Sequence, residues 1–164
     1  ITVFRIIPVA EDAHARYDAT SRTYQYIIHY QKDPFLNGRS YFVFSQLDLD
    51  KMNHAAAMMM KFTDFTSFSK LHTENKTNDC KITEAIWIRD KHQLVFTITA
   101  DRFLRNMVRA IVGTLLQVGK GKISPEQFCE IIERKNRGEA GESVPACGLY
   151  LQKVLYPYIS PIER

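Results

Sequence analysis

Asp101-Arg-Phe-Leu-Arg-Asn-Met-Val-Arg-Ala-Ile-Val-Gly-Thr-Leu-Leu-Gln-Val-Gly-Lys-Gly-Lys122 is the stretch around which the rest of the chain is arranged. Leu104, Met107, Val108, Ile111, Leu115 and Val118 recur at three- and four-residue steps and therefore share one helical face. Val112 and Leu116 widen that face beyond half the circumference, which predicts a mostly buried helix. The reading is one helix of about four turns. Asp101 caps its start, Gly119 and Gly121 end it, and Lys120 and Lys122 sit near its negative pole. Arg105 and Arg109 are four apart on its flank, beside Val112 and Leu116, where like charges repel slightly. A guanidinium pressed into an apolar surface is costly without an anion. Two readings of Arg109 stand: it is presented to something negative, or it pairs with a structural carboxylate or lies at the surface.

Working outward, residues 82–89 and 93–100 alternate as an antiparallel hairpin around Asp90-Lys91-His92. Leu94, Phe96, Ile98 and Ala100 form its apolar face and lead straight into the helix. After the helix, Pro125 opens a second one over roughly 125–135, with Phe128, Ile131 and Ile132 inward. A loop over 136–147 precedes a strand at 149–155 that closes the sheet, and the tail after Pro157 reads as loose.

Upstream, residues 2–7 read as a strand stopped by Pro8. Residues 9–21 read as a turn or short helical piece and a connection carrying His14, Arg16 and Tyr17. Residues 22–30 form a strand with Tyr24, Tyr26, Ile28 and Tyr30 on one face. Each tyrosine hydroxyl needs a partner, so that face is half wet or packs its rings under a helix. Residues 31–47 are a loop holding a short Tyr41–Phe44 run. Residues 48–62 are a helix capped by Asp48 or Asp50, with Leu49, Met52, Asn53, Ala56, Met59 and Met60 on one face. Residues 64–69 make an aromatic turn. The polar loop from Lys70 to Lys81 reads equally as a contact for a phosphate backbone or as a solvated loop. The sum is an α+β domain, a largely antiparallel sheet with helices on one face.

The chain has 164 residues and a formal net charge of +4, enough for one core and mildly favourable to a polyanion. Cys80, Cys129 and Cys147 are scattered, which suggests neither a disulfide framework nor a zinc site. No secretory signal or membrane-length apolar run is visible, so a cytoplasmic protein away from membranes is expected. Opening on Ile1 within a strand-like run suggests a piece lacking an N-terminal part, with N-terminal processing as the alternative. No serine elbow, P-loop, dinucleotide fingerprint or metal-binding helix motif occurs. Arginines, an aromatic strand face and a basic surplus suit a planar ring and a phosphate chain, hence nucleic acid.

Four blocks then carry a family resemblance. His14-Ala-Arg-Tyr-Asp-Ala-Thr-Ser-Arg-Thr-Tyr-Gln-Tyr26 and Phe103-Leu-Arg-Asn-Met-Val-Arg-Ala-Ile-Val-Gly113 resemble the second and third signatures of the tRNA pseudouridine synthase A family. Asp64-Phe-Thr-Ser-Phe68 and Pro145-Ala-Cys-Gly-Leu-Tyr-Leu151 resemble its mid-chain landmark and C-terminal strand. The blocks occur in the family's order and span the chain nearly end to end.

The resemblance implies an enzyme that isomerises uridine to pseudouridine in the tRNA anticodon arm, at nucleotides 38–40. It implies a homodimer, with neither metal nor organic cofactor. It also implies a nucleophilic aspartate in a Gly-Arg-Thr-Asp-Ala-Gly-Val-His type segment, which has no counterpart here. Residues 1–164 therefore read as the C-terminal domain of such a synthase, without its N-terminal domain and inactive alone. Asp12, Asp18, Asp64 and Asp101 stand in other contexts and are not candidates for the nucleophile. By resemblance, Arg109 pairs with the missing aspartate, Arg16 acts in base extrusion or holds the phosphate backbone, and Tyr24 stacks on the target base. The family varies at Arg105, where RNA contact is the expectation. Lys70, Lys76 and Lys81 share it only through their charge. The alternative is a non-catalytic RNA-binding module with the synthase sheet.

Overall fold

Alternation in the hairpin builds the sheet. In this computed structural model, which describes residues 2–3, 5–70 and 77–159, Leu94, Phe96, Ile98 and Ala100 are all buried. They lie on β4 (Gln93–Ala100), which turns back from β3 (Ile82–Asp90). Lys91 at the turn takes a left-handed φ of 51°. The other edge of β4 pairs antiparallel with β1 (Ser21–His29), from Arg22↔Ala100 to His29↔Gln93.

Strand β1 is the hub. Its far edge is divided between two strands. The C-terminal strand, Leu149–Leu155, runs antiparallel along Ser21–Tyr26, and the two-residue Tyr41–Phe42 strand runs parallel along Ile28–His29. In chain order Tyr41–Phe42 is β2 and Leu149–Leu155 is β5. The result is a mixed five-stranded sheet, parallel only at β2.

Three helices cover one face. In α1 (Leu49–Met59), the Asp48 carboxylate accepts from the Lys51 amide at 3.0 Å, and Met52, Ala55, Ala56 and Met59 are buried. Met60 falls after the last helical residue and is exposed, so it leaves the face predicted for it. Asn53 docks on the edge of β3. Its Nδ2 donates to the Trp87 carbonyl at 3.1 Å, and its Oδ1 accepts from the Trp87 amide at 2.7 Å. Only Arg109 and Gln117 of the thirteen residues of α2 (Met107–Gly119) are not buried. In α3 (Pro125–Glu133), Ser124 and Gln127 form a reciprocal capping box and Phe128, Ile131 and Ile132 turn inward.

Three expectations are corrected. Residues 2–3 and 5–7 belong to no strand, because among the described residues no neighbouring edge pairs with them. The central helix begins at Met107, not Asp101. The Asp101 carboxylate is engaged by the Lys81 and Arg102 amides at 2.8 and 2.7 Å, and Asn106 is left-handed at φ 69°, which an α-helix cannot pass through. Leu104 is still buried, but from a loop. Beyond Pro157 the chain is tied down as far as it is described: Tyr156 bridges Ile159, and the Tyr158 hydroxyl donates to Asp18 at 3.2 Å. Among the described residues no helix is long and apolar enough to cross a membrane.

Candidate functional site

Tyr24 and Tyr26 of β1 and Tyr30 just past its end differ in environment. Tyr26 and Ile28 are fully buried, and the Tyr26 hydroxyl donates to the Pro145 carbonyl at 2.6 Å. Tyr30 donates to the Lys91 carbonyl at 2.7 Å and accepts from Arg89 at 3.2 Å. Tyr24 is half-buried, and among the described residues its hydroxyl has no hydrogen-bond partner. Its ring and that of Phe103 meet edge to face, with centroids 5.2 Å apart and an interplanar angle of 88°, which fixes the orientation of the Tyr24 ring.

Arg109 stands in the first turn of α2 against the segment 143–145. Its Nε donates to the Val144 carbonyl at 2.6 Å, and its own carbonyl accepts from the Val144 amide at 3.2 Å. That segment is strapped down on both sides. Asn106 donates to the Ser143 hydroxyl, Arg137 to the same oxygen at 3.0 Å, and Tyr26 to Pro145. The strap lies so close to α2 that a Cβ on Gly113 would come within 1.8 Å of the Glu142 carbonyl. Burial raises the Tyr26 phenol above its ordinary pKa, aided by Cys147 and Tyr41, while the nearby Arg109 charge opposes the rise.

Of the ion pairs among the described residues, none involves Arg109. Among the described residues Arg109 therefore has no structural carboxylate, and its side chain is half-buried rather than fully exposed. With Nε committed to Val144, Nη1 and Nη2 have no hydrogen-bond partner among the described residues.

Arg16 lies on a built loop. The His14 Nδ1 accepts from the amides of Arg16 and Tyr17 at 3.1 and 3.3 Å, and the Arg16 guanidinium sits 5.6 Å from the Tyr17 ring centroid. Tyr156 donates to the Ala15 carbonyl at 2.8 Å. Arg22 donates to the carbonyls of Arg16, Ala19 and Asp101. Arg105 is exposed in the loop before α2 rather than on its flank, so the predicted four-residue arginine pair does not form. Its carbonyl accepts from the Lys70 amide at 3.1 Å, which sets these two basic residues side by side. Exposed Lys81 borders the same loop through Asp101, and Lys76 lies outside the described residues.

Three of the four aspartates weighed from sequence are occupied. Asp18 accepts from the His14 amide and Tyr158, and Asp101 from two amides. Asp64 accepts from Thr66 and pairs with Lys135 at 2.9 Å. Burial is the largest single influence on Asp64 and raises its pKa, but the bonds from Thr66 and Lys135 together hold it below the ordinary carboxylate value. Among the described residues no group of three His, Cys, Asp or Glu could hold a metal.

Sequence reading missed Phe103, Arg22 and the Val144 strap. Phe103 stood in a quoted motif, and only its loop placement turns it onto Tyr24. The other two act through backbone carbonyls, which leave no signature in side-chain pattern.

Tyr24 with one ring neighbour, Arg109 without a carboxylate among the described residues, and the exposed Arg16, Arg105, Lys70 and Lys81 are the features the fold leaves for a ligand. Residues 55–157 match the family model described as tRNA pseudouridine synthase, and the chain belongs to that family. It is 57% identical over 159 residues to "tRNA pseudouridine synthase A" of Porphyromonas gingivalis, covering 96% of this chain and 63% of the relative. The protein of the same name from Bacteroides fragilis is 55% identical over 158 residues, with the same two coverages. That of Parabacteroides distasonis is 52% identical over 164 residues, covering 99% of this chain and 65% of the relative. The chain thus spans a little under two thirds of the length of these relatives, and the alignments include the Arg16 and Tyr24 region that precedes the family-model match.

Proposed function

We propose that these residues are the base-holding and aspartate-orienting part of a tRNA pseudouridine synthase acting on the anticodon stem-loop. The observation that carries the reading is Arg109, a half-buried guanidinium near Tyr26 of β1 that, among the described residues, meets no carboxylate and has no partner for Nη1 or Nη2. An aspartate supplied from outside these 164 residues meets that guanidinium. The guanidinium orients the carboxylate and favours its ionised form.

The reaction is an isomerisation. The bond from C1′ to N1 of uracil breaks, the ring turns, and a bond from C1′ to C5 forms. C5 loses a proton and N1 gains one, so no atom enters or leaves overall. The target base first leaves its stack at a cost of a few kcal/mol. Stacking on Tyr24 returns about 1–3 kcal/mol of that. Arg16 sits on the loop beside the start of β1, within the strand end that carries Tyr24, and holds the displaced backbone. Arg105, Lys70 and Lys81 border the opposite loop and contact phosphates. In this reading the full-length protein is a cytoplasmic homodimer.

The test is pseudouridine mapping on transcribed tRNA after incubation with the full-length gene product. Modification in the anticodon stem-loop, absent with residues 1–164 alone and absent after Arg109→Met, is the expected result. Salt-sensitive tRNA binding without any pseudouridine formation by the full-length protein would overturn it in favour of a non-catalytic RNA-binding module.

A further inference from the structure

We infer that Arg22 is a positioning residue of this site, a guanidinium crosslink that sets the Arg16 loop and the Phe103 loop relative to Tyr24. The inference rests on the functional reading above.

Arg22 opens β1 with Ala100 of β4 on one side and Val154 of β5 on the other, two residues before Tyr24 on the same strand face. Its Nη1 donates to the Ala19 carbonyl and to the Asp101 carbonyl, each at 2.6 Å, and its Nη2 donates to the Arg16 carbonyl. The Asp101 bond joins residues 79 apart in sequence. No carboxylate pairs with Arg22 among the described residues. A cation whose contacts are all main-chain carbonyls is holding backbone, not neutralising charge.

The loop at 14–20 has other tethers, but they lead elsewhere. Ala15 is held by Tyr156, Thr20 by the Leu155 carbonyl and Asp18 by Tyr158, all in the C-terminal segment. Among the described residues, Arg22 makes the only hydrogen bonds linking the 14–20 loop to the 101–106 loop. The second loop carries Phe103, whose T-shaped contact orients the Tyr24 ring, and it leads through Asn106 into the turn that bears Arg109. One side chain therefore couples three elements that must stand in register before a flipped base arrives. Misplacement of such elements by about 1 Å costs on the order of 100-fold in rate. Lysine cannot replace the crosslink, because an ammonium on a flexible stem lacks the planar fork that spans these carbonyls.

The experiment compares Arg22→Lys, Arg22→Met and wild type in the full-length gene product, using steady-state kinetics on tRNA and hydrogen exchange of the backbone amides. Both variants should lower kcat by about 10- to 100-fold while KM for tRNA stays within about twofold. Exchange should accelerate in 14–20 and 101–105 while β3 and β4 stay protected. Wild-type kcat in either folded variant, or faster exchange spread over the whole sheet, would overturn the inference. If Arg22→Met does not fold, Arg22→Lys decides by the same two readouts. A wild-type protein that forms no pseudouridine would instead sink the functional reading, and the exchange pattern would still report on the crosslink.

Discussion

Two arginines of this chain use the same side chain in opposite ways. Arg134, just past the end of α3, is exposed and reaches two carboxylates, Glu130 at 3.3 Å and Glu139 at 3.2 Å. Arg109, half-buried in α2, meets the Val144 carbonyl and no carboxylate among the described residues. Stability alone favours the reverse. Water screens the exposed pairs until they contribute little, while a half-buried cation without an anion is costly. The contrast is why the proposed site is centred on the unbalanced charge, while the balanced one is ordinary surface.

Arg109→Met tests this most severely. Turnover by the full-length protein should fall by about 100- to 1000-fold. The midpoint of thermal unfolding should hold or rise, because an uncompensated charge is removed. A large fall in that midpoint with activity retained would make Arg109 a structural residue and erase the contrast. Tyr24→Ala should lose about 1–3 kcal/mol of base stacking, read as slower tRNA turnover, while Tyr24→Phe keeps most of the activity. Equal activity of Tyr24→Ala and wild type would remove the stacking role.

Gly113→Ala sharpens the comparison from a distance. The added methyl meets the Glu142 carbonyl, so the strap must move and Arg109 with it. Urea unfolding should show a loss of about 1–3 kcal/mol, with turnover reduced although the residue touches no substrate. A smaller effect is expected at Asp64. Its folded pKa lies below the ordinary value of 3.8, so its contribution is full above that value and is lost as pH falls through the lower folded one. Asp64→Asn should cost less than about 1 kcal/mol near neutrality, and the difference in urea midpoint should vanish in strong acid. A difference that persists there would assign the effect to packing. Smallest of all, Arg134→Met should change stability by less than about 0.5 kcal/mol and leave turnover alone.

What could be read from the chain beforehand divides along physical lines. The hairpin, the Asp48 cap and the Ser124 box are local, so period and capping chemistry reveal them. The pairing of β2 with β1 is parallel and only two residues long, too short for any pattern. The true start of α2 depends on Asp101 being drawn to Lys81 and on the left-handed Asn106, which an unbroken apolar spacing hides. Arg109 stands out in the sequence because an arginine on an apolar helix is an anomaly, and its proposed role comes from the family resemblance. Arg22 does not stand out, because its partners are carbonyls and carbonyls belong to every residue.

The division of β1 between early and late strands also has a consequence in time. Ser21 pairs with Leu155, so the hub strand stays half-edged until residue 155 has been synthesised. At roughly 5–20 residues per second, the interval between making β1 and making its last partner is of the order of ten seconds. During it β1 can pair with β4, but the Tyr24 end lacks its outer neighbour, and an open edge invites pairing with another chain. The Tyr24 end of the sheet is therefore late to become safe from aggregation, and its completion waits on the ribosome.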